Sequence, residues 1–203
     1  MSKRKLFFKG EVMPDRRIKK TKNQLRAALT KLLKEKNINE ITVKELVDEV
    51  DINRSTFYLH YNDIYDMLNK IENELLDQLL FVTEKHKEEY PNELDSSYLI
   101  DVFKVLEKNI DIVSVLLSSH GDISFLNRIK HMISDEIIEN VKSLVPEDIK
   151  LDIEYTFSFY LNGCIGLVEH WIDTGVEDSP EHMAELCFSL ITDGIKNHIK
   201  KQI

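Results

Sequence analysis

The sequence predicts an all-α fold, and three observations carry the prediction. Six Gly and four Pro in 203 residues are too few for the turn-dense pattern of a β-sandwich. Apolar residues recur every three or four positions over long stretches, the period of a helix face. The breaks between these stretches fall at capping residues or at Pro. With 42% hydrophobic residues, the chain has enough apolar surface to bury a core.

The elements follow in order. Asp15 is read as the cap of a helix beginning near Arg16, whose stripe is Ile18, Leu25, Ala28, Leu29, Leu32 and Leu33 and whose other face is largely Lys and Arg. Asn37, a residue tolerant of left-handed backbone, is expected to end it. Thr42-Val43-Lys44-Glu45 reads as a capping box, in which hydroxyl and carboxylate each satisfy a backbone donor. The short helix it opens is predicted to bury Val43, Leu46, Val47 and Val50. The chain then turns at Asp51 and Ile52 and restarts with Asn53 as N-cap of a third helix over 53–60. Ile64, Leu68, Ile71, Leu75, Leu79 and Val82 place a long helix over 63–89, with Pro91 marking its end. Further helices are predicted over 97–109, 112–118, 122–144 (before Pro146), 149–174 and 180–200. The GVEDS join is short enough to make the last two an antiparallel pair.

Net charge is -9, but it is divided. Residues 1–61 carry a net +7 and the remainder -16. A field of this shape draws a polyanion to the head and repels it from the body. No run approaches the ~18 apolar residues of a membrane span, and the basic start has no long apolar stretch with a cleavage site, so a cytoplasmic protein without membrane contact is expected. Cys164 and Cys187 lack the spacing of a zinc or redox motif and read as buried thiols. The seven His are scattered, and no HExxH, phosphate-binding Gly-rich loop or GxSxG is present. Neither an enzyme nor a metal or cofactor site is therefore expected.

Residues 42–61 supply the parts of a helix-turn-helix: a short braced helix, a tight turn, and a second helix able to reach base edges in the major groove. Ile52 and Phe57 are placed inward. Arg54, Ser55, Thr56 and Leu59 are assigned to base reading, because Arg bonds guanine bidentately, hydroxyls serve either role and an apolar side chain meets a thymine methyl. Tyr58 and His60 are assigned to phosphate, with Thr42 and Lys44 at the preceding helix and Arg17, Lys19, Lys20 and Lys22 on the basic first helix.

The stretch ITVKELVDEVDINRSTFYLHYND, with DRRIKKTKNQLRAALTKLLKE before it, resembles the DNA-binding signature of the TetR family of bacterial transcriptional regulators. Thr56-Phe57-Tyr58-Leu59-His60-Tyr61 matches the family's ending, in which Tyr61 takes the structural aromatic position. Asp51 stands where the family usually has Gly and Asn53 where it often has Ser. Asn62, Asp63 and Ile64 follow where many members place a Lys that opens the fourth helix onto a phosphate. The resemblance implies three regions: a flexible basic arm at 1–14, a DNA-binding domain at 15–61, and a helical regulatory and dimerisation domain at 62–203.

Residues 159–195, FYLNGCIGLVEHWIDTGVEDSPEHMAELCFSLITDGI, are similar to the C-terminal end of the branch that includes activators of dihydroxyacetone kinase operons. The family dimerises through its last two helices. Gly163, Cys164, Gly166 and Leu167, with Leu186, Cys187, Leu190, Ile191 and Gly194, offer small and apolar surface for that contact. The family often encloses a small-molecule pocket, for which Tyr98, Phe103, His120, Phe125, Tyr155, Phe159, Tyr160 and Trp171 are candidate walls. The expected function is a homodimeric repressor that binds a palindromic operator and is modulated by an effector. The alternative is a TetR-fold activator or co-regulator that answers to a protein partner and binds DNA weakly or not at all.

Overall fold

The computed structural model describes residues 16–89, 96–118, 121, 123–144 and 153–200. The 1–14 arm, Asp15, Pro91, His120 and Pro146 lie outside the described residues. Among the described residues the fold is all-helical: α1 (Arg16–Leu33), α2 (Val43–Glu49), α3 (Arg54–Tyr58), α4 (Ile64–Glu89), α5 (Ser97–Lys108), α6 (Ile110–Leu116), α7 (Ile123–Leu144), α8 (Ile153–Asp173) and α9 (Pro180–Lys200). A single 3₁₀ turn at Ile38–Glu40 was not signalled by the sequence pattern.

Helix α1 buries Leu25, Ala28, Leu29, Leu32 and Leu33, as its stripe predicts. Ile18 does not join them and is 40% exposed. Residues 16–20 are all exposed, so no neighbour covers the first turn, and periodicity alone does not reveal a missing partner. Asn37 is also corrected. Its backbone is extended (φ -71°, ψ 155°), because Lys34 and Lys36 already donate to the carbonyls of Thr30 and Leu32 and close α1 without a left-handed residue. The Glu40 carboxylate accepts the Asn37 backbone N–H at 2.9 Å and so opens the 3₁₀ turn.

Helix α4 buries Ile64, Leu68, Ile71, Leu75, Leu79 and Val82 in one stripe. Its 26 residues span about 39 Å at the α-helical rise, long enough to carry contact from the α1–α3 unit into the rest of the chain. Helix α5 packs on α4 and lies along α9, where Lys104 pairs with Glu181 at 2.8 Å. Helix α6 touches α1, α5 and α8, and α7 packs on α8.

The α8–α9 turn uses two left-handed residues, Gly175 (φ 83°) and Val176 (φ 60°). Gly175 donates to the Ile172 carbonyl and Val176 to that of Trp171, which closes the end of α8. The helices then run antiparallel, with Cys164 facing Cys187 and Tyr160 meeting Gly194. The apolar side chains from Leu25 to Cys187 form one continuous core. No described helix is long and apolar enough to cross a membrane.

Candidate nucleic-acid interface

Helix α2 begins at Thr42, whose hydroxyl accepts the Glu45 backbone N–H at 3.2 Å and keeps its own proton to donate elsewhere. The Glu45 carboxylate is held below its ordinary range chiefly by Lys36, and also by the Thr42 backbone N–H. Leu46 and Val47 are buried, while Val43 and Val50 are half-buried against the core. Asp51 then adopts φ 52°, so an Asp rather than a Gly makes the left-handed turn, and Ile52 donates to the Val47 carbonyl at 3.1 Å. A short polar side chain tolerates that region better than most.

Asn53 caps α3 as its type predicts, accepting the Ser55 backbone N–H at 3.2 Å. Helix α3 is five residues, shorter than the 53–60 span read from sequence, since His60 and Tyr61 turn back onto the Phe57 carbonyl. Phe57 is fully buried and Tyr61 is 6% exposed, their rings 5.5 Å apart. Burial pushes the Tyr61 phenol up to about 12. With these two rings inward, Arg54, Ser55, Tyr58 and Leu59 are exposed, Leu59 at 78%, and Thr56 and His60 are half-buried at the flanks.

On α1 and α2, Arg17, Lys19, Lys20 and Lys44 are exposed and Lys22 is half-buried. Lys31 and Lys36 are engaged by Glu49 and Glu45. Among the described residues, no ion pair engages Lys19, Lys20, Lys22, Lys44 or Arg54, so their charge is available to an incoming anion.

The start of α4 departs from an open anion site. Asp66 accepts the Asn62 backbone N–H at 2.8 Å, and Asp63 accepts that of Asp66 at 2.7 Å. Two carboxylates therefore occupy the donors that a phosphate uses at a helix N-terminus. The lysine here is Lys70, one turn inward, which pairs with Asp66 at 2.8 Å, donates to the His60 carbonyl at 3.1 Å and sits over the Tyr61 ring. It fastens the end of the helix-turn-helix to α4. The (i, i+4) Asp66–Lys70 spacing was its only sequence signal.

A second link joins the head to the body. Arg26 of α1 donates to the Asn109 side-chain carbonyl at 2.9 Å and lies 3.8 Å from Asp111. Asn109 is 4% exposed and donates to the Val105 carbonyl at 2.9 Å and to Gln78 at 3.3 Å. One arginine thus touches the α5–α6 corner, which contacts α4 in turn. Nothing in the apolar pattern of α1 marked Arg26 for this.

The proposed pocket walls separate. Phe103, Phe125 and Trp171 are buried, and Tyr98 and Tyr160 are half-buried. Phe103 and Trp171 meet edge to face at 5.5 Å, and the indole N–H donates to the Asp178 carbonyl at 2.9 Å, so these two pack as core. Tyr155 and Phe159 are 80% and 73% exposed and line no interior wall, because they lie on the solvent side of α8. A groove of about 480 Å³ opens instead between α4 and α5, over Phe81, Val82 and Val105, and includes none of the eight candidates.

The residues assigned to a dimer contact also divide. Gly163, Leu186 and Leu190 face outward with Tyr155 and Phe159, and a Cβ added at Gly163 or Gly166 meets nothing. Cys187 is buried, and Cys164, Leu167 and Ile191 pack against the chain's own core. A Cβ at Gly194 falls 1.9 Å from the Tyr160 hydroxyl, so this glycine admits α8 and does not look outward.

Residues 93–193 match the family model of the TetR-type transcriptional regulator C-terminal region. The HTH-type transcriptional regulator YxbF of Bacillus subtilis (strain 168), itself uncharacterized, is 27% identical over 180 residues, which are 84% of this chain and 44% of that protein. The chain therefore spans less than half the length of this relative. A TetR transcriptional regulator from Streptococcus agalactiae 2603V superimposes with a TM-score of 0.58 at 24% identity, over 87% of this chain and 96% of that one. The fatty acid degradation regulator FadR from Bacillus halodurans gives 0.61 at 12% identity, over 84% and 93%. At these identities the two structures speak for the fold.

Proposed function

We propose that the chain is a transcriptional regulator of the TetR type, a cytoplasmic homodimeric repressor of a palindromic operator, a reading that the C-terminal family match and the helix-turn-helix relative support. The observation that carries the reading is the tip of α3. Phe57 and Tyr61 are buried while Arg54, Ser55 and Leu59 stand in solvent, and α1 carries the exposed cations Arg17, Lys19 and Lys20. Arg54 reads guanine, Ser55 and Thr56 contribute hydroxyls, and Leu59 meets a thymine methyl. Tyr58, His60, Thr42, Lys44 and the α1 cations hold the phosphates. Since α4 begins with two carboxylates, affinity for the backbone falls to α1 and α2.

A five-residue reading helix needs a second half-site for useful specificity. The exposed apolar residues Tyr155 and Phe159 of α8 and Leu186 and Leu190 of α9, with the open Gly163 and Gly166, are where two copies meet. Two heads then lie on successive major grooves about 34 Å apart. An effector, whether small molecule or protein, acts on the body and shifts that spacing through α4 and the Arg26–Asn109 contact.

Selection of bound duplexes from a random pool tests the reading. Recovery of an inverted repeat supports a dimeric reader, and a pool that enriches no sequence refutes it. The closed start of α4 favours one other reading, a regulator that works through a protein partner, and the same selection separates the two.

A further inference from the structure

The chain contains two cysteines, 23 positions apart, and folding brings them face to face across the α8–α9 hairpin with their Sγ atoms 3.0 Å apart. Both are free thiols. A packed residue touches roughly 6 to 12 others, so a second cysteine placed at random in this chain meets the first about one time in twenty. The pairing is not part of a metal site, since no cluster of three or more His, Cys, Asp or Glu able to hold a metal occurs among the described residues. A disulfide has an S–S length of about 2.05 Å, so the sulfurs need to close by about 1 Å.

The two thiols differ in access. Cys164 is half-buried, whereas Cys187 is 1% exposed. The hydrogen bond that the two thiols share holds Cys164 below the ordinary thiol value, while Cys187 is pushed up. A half-buried thiol against a fully buried one is the arrangement of an attacking and a resolving cysteine.

We propose that Cys164 and Cys187 are a reversible dithiol–disulfide site that staples α8 to α9 when the protein meets a peroxide. The Cys164 thiolate attacks one peroxide oxygen and the O–O bond breaks, leaving a sulfenic acid on Cys164 and a hydroxide that is protonated to water. Cys187 then attacks the Cys164 sulfur, the S–O bond breaks and a second water leaves. Two thiols and one hydrogen peroxide thus give one disulfide and two waters, and a thiol reductant reverses the change. Cys164 adjoins Gly163 and Cys187 adjoins Leu186, both on the outward face. The staple therefore fixes the relative placement of the two helices assigned above to self-association. This regulatory half rests on the proposed DNA-binding dimer.

The test treats the full reduced chain with a small molar excess of hydrogen peroxide. The intact mass should fall by two hydrogens, the titratable thiols should go from two to none, and the band on a non-reducing gel should stay that of one chain, all reversed by dithiothreitol. Thiols that persist, over-oxidise, or join two chains overturn the site. C164S and C187S should each abolish the loss of two hydrogens, and C187S should instead gain one oxygen at Cys164. On the selected duplex, apparent affinity should differ at least about tenfold between oxidised and reduced protein. Equal affinity overturns the regulatory half alone, and because mass and thiol count need no DNA, failure of the DNA reading is told apart from failure of the site.

Discussion

Arg54 and Lys20 are both exposed cations on one head, yet they are assigned different work. Arg54→Ala should cost roughly 1 to 3 kcal/mol per half-site and relax preference at one base position, whereas Lys20→Ala should weaken all duplexes alike and lower the salt slope by about one. Titrating both variants against matched and single-base-substituted duplexes checks the split. Equal losses on every sequence would remove Arg54 from base reading. Tyr61 makes a separate prediction about pH. Its folded value, about 12, lies above the ordinary 10.0, so the neutral phenol is favoured by the fold. The contribution is whole below pH 10 and is lost as pH rises toward 12, on the order of 2 to 3 kcal/mol. Denaturant midpoints of wild type and Tyr61→Phe should diverge in slope over that window, the variant lacking this loss.

Among the elements, α3 shows what a sequence can and cannot convey. Asn53 and Phe57 were legible because cap chemistry and apolar spacing are local, and Tyr61 through the family resemblance. Asn53→Ala should cost about 1 kcal/mol of stability, read as a lowered melting temperature, while leaving α2 intact. The closure at 59–61 was not legible, since it depends on Lys70 reaching back from α4 to the His60 carbonyl. Helix α8 gave the opposite difficulty. Its residues are apolar on more than one side, and periodicity does not say which side meets the core. Trp171 and Cys164 turn inward, Tyr155 and Phe159 outward, so two aromatics read as pocket walls stand on the surface instead. The assignment of small residues had the same limit: Gly163 is open and Gly194 is pressed by Tyr160.

At the scale of the whole molecule, the charge division of +7 over residues 1–61 and -16 beyond was plain from sequence, and it draws a polyanion to the head without any structural detail. The Arg26–Asn109–Gln78 contact that joins head to body was not, because it is made by polar groups with no spacing signature. The assembly prediction falls on the outward face of α8. Phe159→Asp puts a charge into the proposed self-contact and should yield a folded monomer by sedimentation, with at least about 100-fold weaker binding to an inverted repeat. An unchanged dimer would place the interface elsewhere. The central claim, sequence-specific reading of a duplex by paired α3 helices, is tested most directly by affinity measured against salt on a selected inverted repeat and on an unrelated duplex. The account predicts steep salt dependence on both and a preference of about 10³-fold or more for the repeat at physiological salt. Indistinguishable affinity for the two duplexes at that salt would contradict it.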